Sequence, residues 1–215
     1  MPREAEPSQN ERDFLHQALR EDIRLDGRAL DAYRDIQVSF GEEYGVADVR
    51  MGKTRVLVKT SATLAIPYPD RKFDGIYTIT AELSPLASPA FESGRPSDLE
   101  SHLTLHLDTL LRRSNALSTE SLCLVAGKQV WHLRSTVHIL DADGSKPGTK
   151  GGEGPEGGEV KCVVDPTLVE EQVSSGVMVV GANREGEVVL VEKAGGGGGG
   201  GGGVAEGGGG WGEEV

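Results

Sequence analysis

Cysteine is scarce in this chain: Cys123 and Cys162 are the only two among 215 residues, and both lie in apolar, strand-like runs. Two such thiols exclude a disulfide framework and point to a reducing compartment. No apolar run approaches the length needed to span a membrane. The opening stretch, "MPREAEPSQNERDF", is polar and charged, without the apolar centre of a signal peptide. Positive charge is also short. The formal net charge is -12, with 17 basic against 22 acidic residues in 1–143 and 5 against 12 in 144–215. That balance excludes nucleic-acid binding through a bulk positive field, so any RNA contact must come from a local arginine cluster or from basic partner subunits. The expectation is a soluble cytosolic or nuclear protein. Glycine is sparse at first and dense later: 24 of 31 lie after residue 143, which makes the core-forming length shorter than the chain.

Periodicity supplies the elements. Ser8 and Glu11 have capping-box spacing, and Phe14, Leu15, Ala18 and Leu19 form an apolar helical face ending near Arg20. After the turn "RLDGR", three runs ("RDIQVSF", "YGVADVRM", "TRVLVKTSATLAI") read as a strand meander, and "IYTITAEL" (76–83) reads as a fourth strand. A second capping box, Ser97 to Glu100, opens a helix striped by Leu99, Leu103, Leu107, Leu110 and Leu111. "SLCLVAG" and "KQVWHLRSTVHIL" form a strand pair turning at Gly127 and Lys128. A mixed sheet with helices on one face follows, the α+β class. Four segments result: a first-half domain over 1–143, a glycine-rich disordered linker over 144–159, late strands over 160–193 with a hairpin turn at Asn183–Gly186, and a disordered glycine tail over 194–215.

Chemistry is thin. His102 and His106 have a spacing that a zinc site could use, but there is no H-E-x-x-H and no third ligand of matching logic, so they read as two polar-face histidines. Cys123, between Leu122 and Leu124, reads as a buried, inert thiol. The acidic cluster Asp165, Glu170 and Glu171 could bind a divalent ion, yet such clusters on a turn are more often solvated. Arg95, Arg112 and Arg113 are the candidates for phosphate contact, against the plainer reading of a helix end whose positive charges favour the dipole.

Three runs, "RLDGRALDAYRDIQVSFGEEYGVADVRMGKTRVL" (24–57), "PAFESGRPSDLESHL" (89–103) and "STESLCLVAGKQVWHLRSTVHILDADG" (118–144), resemble the RNase PH family. Within it the likeness is to ring subunits of the eukaryotic exosome. The resemblance implies a ribosomal protein S5 domain 2-like sheet, here with its second half incomplete: sixteen glycine-rich residues stand where the family has a long helix-containing segment. Two late strands without those helices are expected to leave one sheet face bare.

Active members of the family carry a Thr-Arg pair soon after the "ADG" turn; its places fall on Lys146 and Pro147, after Ala142-Asp143-Gly144. The family's late aspartate falls on Thr167, and an arginine of its "GRxxxR" pattern falls on Leu99. Lysine lacks arginine's bidentate fork for phosphate. The resemblance therefore implies a non-catalytic, RNA-threading ring subunit, with catalytic residues none, metal ligands none and cofactors none. Asp165 is then a turn residue of a scaffold without chemistry. Arg95, Arg112 and Arg113 become its RNA contacts. Implied partners are other RNase PH-like ring subunits, cap subunits and RNA, with no membrane, in nucleus, nucleolus and cytoplasm. The alternative reading is a phosphate-dependent 3′–5′ exoribonuclease.

Overall fold

The computed structural model describes residues 7–87, 91, 97–143, 149–153 and 161–195. Helix α1 (Gln9–Arg20) starts at the expected capping box: the Glu11 carboxylate accepts from the Ser8 backbone N–H at 2.7 Å. Leu15 and Leu19 are buried on its apolar face, whereas Phe14 is 60% exposed and contributes little to the core. Strands β1 (Ile36–Phe40), β2 (Val46–Met51) and β3 (Thr54–Ala65) form the antiparallel meander. Gly45 turns between β1 and β2 at φ +83°, a region that favours glycine; an added Cβ would also run into the Thr60 carbonyl.

β4 (Ile76–Leu83), α2 (Asp98–Arg113), β5 (Cys123–Val125) and β6 (Gln129–Asp141) complete the first sheet. Its order is β1-β2-β3-β6-β4, with β5 added on β6, and β4 runs parallel to β6 while its other pairs are antiparallel. Val130, Ile79, Ala81 and Leu83 are buried here. β4 is an edge strand, and α2 covers that edge. Its Thr104 hydroxyl accepts from Ala81 N–H at 2.9 Å and its Glu100 carboxylate from Leu83 N–H at 2.8 Å, so backbone donors that would otherwise be open are satisfied. The other carboxylate oxygen of Glu100 closes the second capping box on Ser97 N–H at 2.7 Å.

The second sheet has the order β10-β9-β7-β8 and is antiparallel: β7 (Thr149–Glu153), β8 (Lys161–Val164), β9 (Gly176–Ala182) and β10 (Val188–Gly195). Two expectations change here. Thr149–Glu153 lies inside the stretch that composition assigns to the linker, yet it pairs with both β8 and β9 through its backbone, which needs no apolar side chains. The remainder of 144–159 and the tail beyond 195 lie outside the described residues. Nor is the sheet uncovered: Leu110 of α2 abuts Gly181 of β9, where any Cβ would collide with it, and Val163, Val179 and Leu190 are buried. A short helix, α3 (Leu168–Val173), follows β8 and brings Val173 into this core. Cys123 is half-buried and Cys162 exposed, so neither thiol is the enclosed residue expected for Cys123. Among the described residues no helix is long and apolar enough to cross a membrane.

Candidate functional site

The segment between α1 and β1 carries Arg24, Arg28 and Arg34, and all three converge on the turn after β8. Asp165 occupies that turn at φ +49° and is only 3% exposed. Its Oδ1 accepts from Arg34 Nη2 at 2.7 Å. Its Oδ2 accepts from Arg34 Nε at 2.8 Å, the Arg34 backbone N–H at 2.9 Å and Arg28 Nη1 at 3.0 Å. The Asp165 carbonyl takes further bonds from Arg24 Nη2 at 2.9 Å and Arg28 Nη2 at 3.1 Å. Glu170, also 3% exposed, forms a bidentate pair with Arg24 through Nε at 3.0 Å and Nη2 at 2.8 Å. The acidic cluster is therefore not solvated. Two of its members are sealed in because three guanidinium groups replace the water they lose.

Burial by itself raises the Asp165 carboxyl, but hydrogen bonds from Arg34 and the charges of Arg34 and Arg28 outweigh it and hold the group below the usual aspartate range. Arg34 is shifted upward by the same contact with Asp165. Such a carboxylate is a weak base, with both of its oxygens engaged by arginine. Arg34 also donates Nη1 to the Asp143 carbonyl at 2.9 Å, which ties the turn at Ala142-Asp143 to the turn at Asp165. Thr167, at the place of the family's late aspartate, is the N-cap of α3, and its N–H donates to Glu170 at 2.8 Å. Lys146 and Pro147 lie outside the described residues.

The arginines singled out for RNA are placed differently. Arg95 lies outside the described residues. Arg112 is exposed in the last turn of α2 and donates Nε to both oxygens of Asp108, at 2.9 and 2.8 Å, a contact that pushes its guanidinium upward. Arg113 Nη1 stands 3.5 Å from the Val189 carbonyl, the outer limit of a hydrogen bond. Arg112 also borders a cavity of about 1000 Å³ between β4 and α2, but Glu82, Glu100 and Asp108 line the same space, so the cavity itself does not suit phosphate.

Arg34 thus bridges the turn at Ala142-Asp143 and the turn at Asp165. The profile of the 3′ exoribonuclease family, domain 1, matches residues 32–165, and that of domain 2 matches residues 157–198. The chain belongs to the RNase PH family. It is 46% identical over 145 residues to the exosome complex component rrp45 of Schizosaccharomyces pombe, which covers 67% of this chain and 50% of that protein. Against the exosome complex component RRP45 of Saccharomyces cerevisiae it is 42% identical over 145 residues, covering 67% and 48%. The chain thus spans about half the length of these two curated relatives. With exosome complex component RRP45A of Arabidopsis thaliana the identity is 35% over 231 aligned residues, covering 86% of this chain and 75% of the relative. That span is longer than the 215-residue chain, so the relative carries residues with no counterpart here. Among solved structures, a chain of the Archaeoglobus fulgidus exosome with RNA bound to the active site superposes at a TM-score of 0.75 with 27% identity, covering 87% of both chains.

Of the residues around Asp165, sequence reasoning missed Arg24, Arg28 and Arg34. The available signal is the arginine-rich run "RLDGRALDAYR", which shows neither helical nor strand periodicity and so does not declare a partner.

Proposed function

We propose that the chain is a non-catalytic ring subunit of the RNA exosome that supports 3′–5′ processing and decay, including ribosomal RNA maturation and messenger RNA decay. Its partners are neighbouring RNase PH-like subunits, cap subunits and RNA. Alongside the kinship with exosome components, the observation that carries this reading is the bare edge of the first sheet. Ile36, Val38 and Phe40 alternate on one face of β1 and are 57, 54 and 83% exposed, and Tyr44 at the following turn is fully exposed. Among the described residues β1 pairs only with β2, so a row of backbone groups lies open beside an apolar stripe. Folded proteins seldom leave such an edge unprotected unless another chain covers it.

The non-catalytic part of the reading is supported by Asp165, whose oxygens are already committed to Arg28 and Arg34. Two measurements test the whole. Co-purification of the tagged chain with the other ring subunits is expected. Release of nucleoside diphosphates from RNA that depends on inorganic phosphate is not expected from the purified chain, and its appearance favours the exoribonuclease alternative. The proposed residence is nucleus, nucleolus and cytoplasm, and imaging that finds the chain only inside another organelle counts against it.

RNA contact is assigned to Arg95 and Arg112, with Arg113 beside them. In an acidic chain each contact is weak and salt-sensitive, about one counterion-release increment per phosphate neutralised. Replacing Arg95 and Arg112 together by Glu is expected to weaken RNA protection by the assembled ring while leaving assembly intact. Unchanged protection reduces these residues to helix-end charges.

A further inference from the structure

His102 and His106 stand four residues apart on α2 and share a face of that helix. The structure supplies the third group that the sequence did not reveal. Glu192 of β10 places Oε1 at 3.0 Å from His102 Nε2 and Oε2 at 2.8 Å from His106 Nε2. The two imidazole rings have centroids 4.2 Å apart at 64°, and the donor atoms of the three side chains all lie within 4.8 Å of one another. This is the one such trio of His, Cys, Asp or Glu among the described residues.

The contacts as they stand can be held by Nε2–H donation from each ring to Glu192. A divalent ion can take the place of those protons: each neutral ring then offers its Nε2 lone pair and the carboxylate balances part of the ion's charge. A tetrahedron with bonds of roughly 2.0–2.2 Å has edges of about 3.4 Å; the two N···O separations need to open by a few tenths of an ångström, and the side chains to turn until both nitrogens face one ion. His106 and Glu192 are largely enclosed while the His102 side chain is 44% exposed, which leaves an entry path and room for a water ligand. We propose that His102, His106 and Glu192 bind one divalent transition-metal ion, zinc by the borderline character of two imidazoles and a carboxylate, and that the ion fastens α2 of the first sheet to β10 of the second. This inference stands independently of any exosome role.

The test is uptake of Zn²⁺ by the full chain under reducing conditions, followed calorimetrically, together with visible absorption after Co²⁺ is supplied instead. One ion per chain is expected, with the intense absorption bands of tetrahedral cobalt and an unfolding temperature that rises with zinc. His102→Gln and His106→Gln should each weaken uptake at least tenfold, and the double variant should abolish both the bands and the thermal shift. Glu192→Gln, which keeps the shape of the side chain, serves as a second probe should the histidine variants fold poorly, and is also expected to weaken uptake. His132→Gln, in β6 and bonded to Thr78, should bind as the parent does. No stoichiometric uptake, or uptake unchanged in the double variant and in Glu192→Gln, overturns the proposal. So does uptake that disappears instead in a C123S/C162S variant.

Discussion

Two groups of arginines in this molecule have the same chemistry and opposite fates. Arg24, Arg28 and Arg34 meet Asp165 and Glu170 where little water enters: the Arg24 side chain is wholly buried, and those of Arg34 and Arg28 are 9% and 16% exposed. At the end of α2, Arg112 pairs with Asp108 while its side chain is 59% exposed. The first group joins the beginning of the chain to its last third, with all three guanidinium groups bonded internally. The second group is held by one helical neighbour and can exchange it for another anion. Charge count does not distinguish them; burial does, and it separates the arginines that hold the fold together from one that stays in contact with solvent.

Breaking the buried group should have the largest effect. Asp165→Asn keeps the side-chain shape and tolerates the positive φ, but leaves Arg34 and Arg28 without their counter-charge, so unfolding in urea should show a loss of about 3–5 kcal/mol. Acid should act on the same group more gradually. Because the Asp165 value is lowered in the folded state, its ionised form contributes stability that is fully present above the unfolded aspartate value of about 3.9 and is lost as pH falls through the lower folded value. Urea midpoints of the parent protein should therefore change little between about pH 5 and 7 and fall below about pH 4.

A middle case sharpens the contrast. Glu100 bonds both Ser97 N–H and Leu83 N–H from a half-buried position, and Glu100→Ala should cost about 1.5–3 kcal/mol by removing a charged acceptor from two donors. The smallest effect belongs to the exposed pair: Arg112→Ala should change stability by no more than about 0.3–0.5 kcal/mol, measured in the same denaturation experiment. A loss comparable to that of Asp165→Asn would show that exposure does not separate the two groups.

Much of the first sheet was legible because its signals are local. The capping boxes at Ser8 and Ser97, the alternation over 76–83 and the turn at Gly127 each declare themselves within a few residues, and the structure follows them. The hairpin turn at Asn183–Gly186 is similar: Gly186 N–H donates to the Asn183 carbonyl at 3.1 Å with Gly186 at φ +84°. What could not be read is non-local or made by the backbone. Arg34 meets Asp165 across 131 positions and Arg24 meets Glu170 across 146, and no periodicity reports such a pairing. β7 forms from Thr149–Glu153 through main-chain bonds in a run dominated by glycine and charge. Glu192 became visible as a neighbour of His102 and His106 only once β10 was laid beside α2.

The span from Arg34 to Asp165 also sets a delay during synthesis. At about 5–20 residues per second, the 131 positions between them take roughly 7–26 s to be polymerised. For that interval the three guanidinium groups lack Asp165 and Glu170 and have only local acids such as Asp26 to pair with, in a nascent chain whose meander can already pair. Closure of the N-terminal segment onto the turn after β8 is therefore bound to come late, after nearly four fifths of the chain has been made.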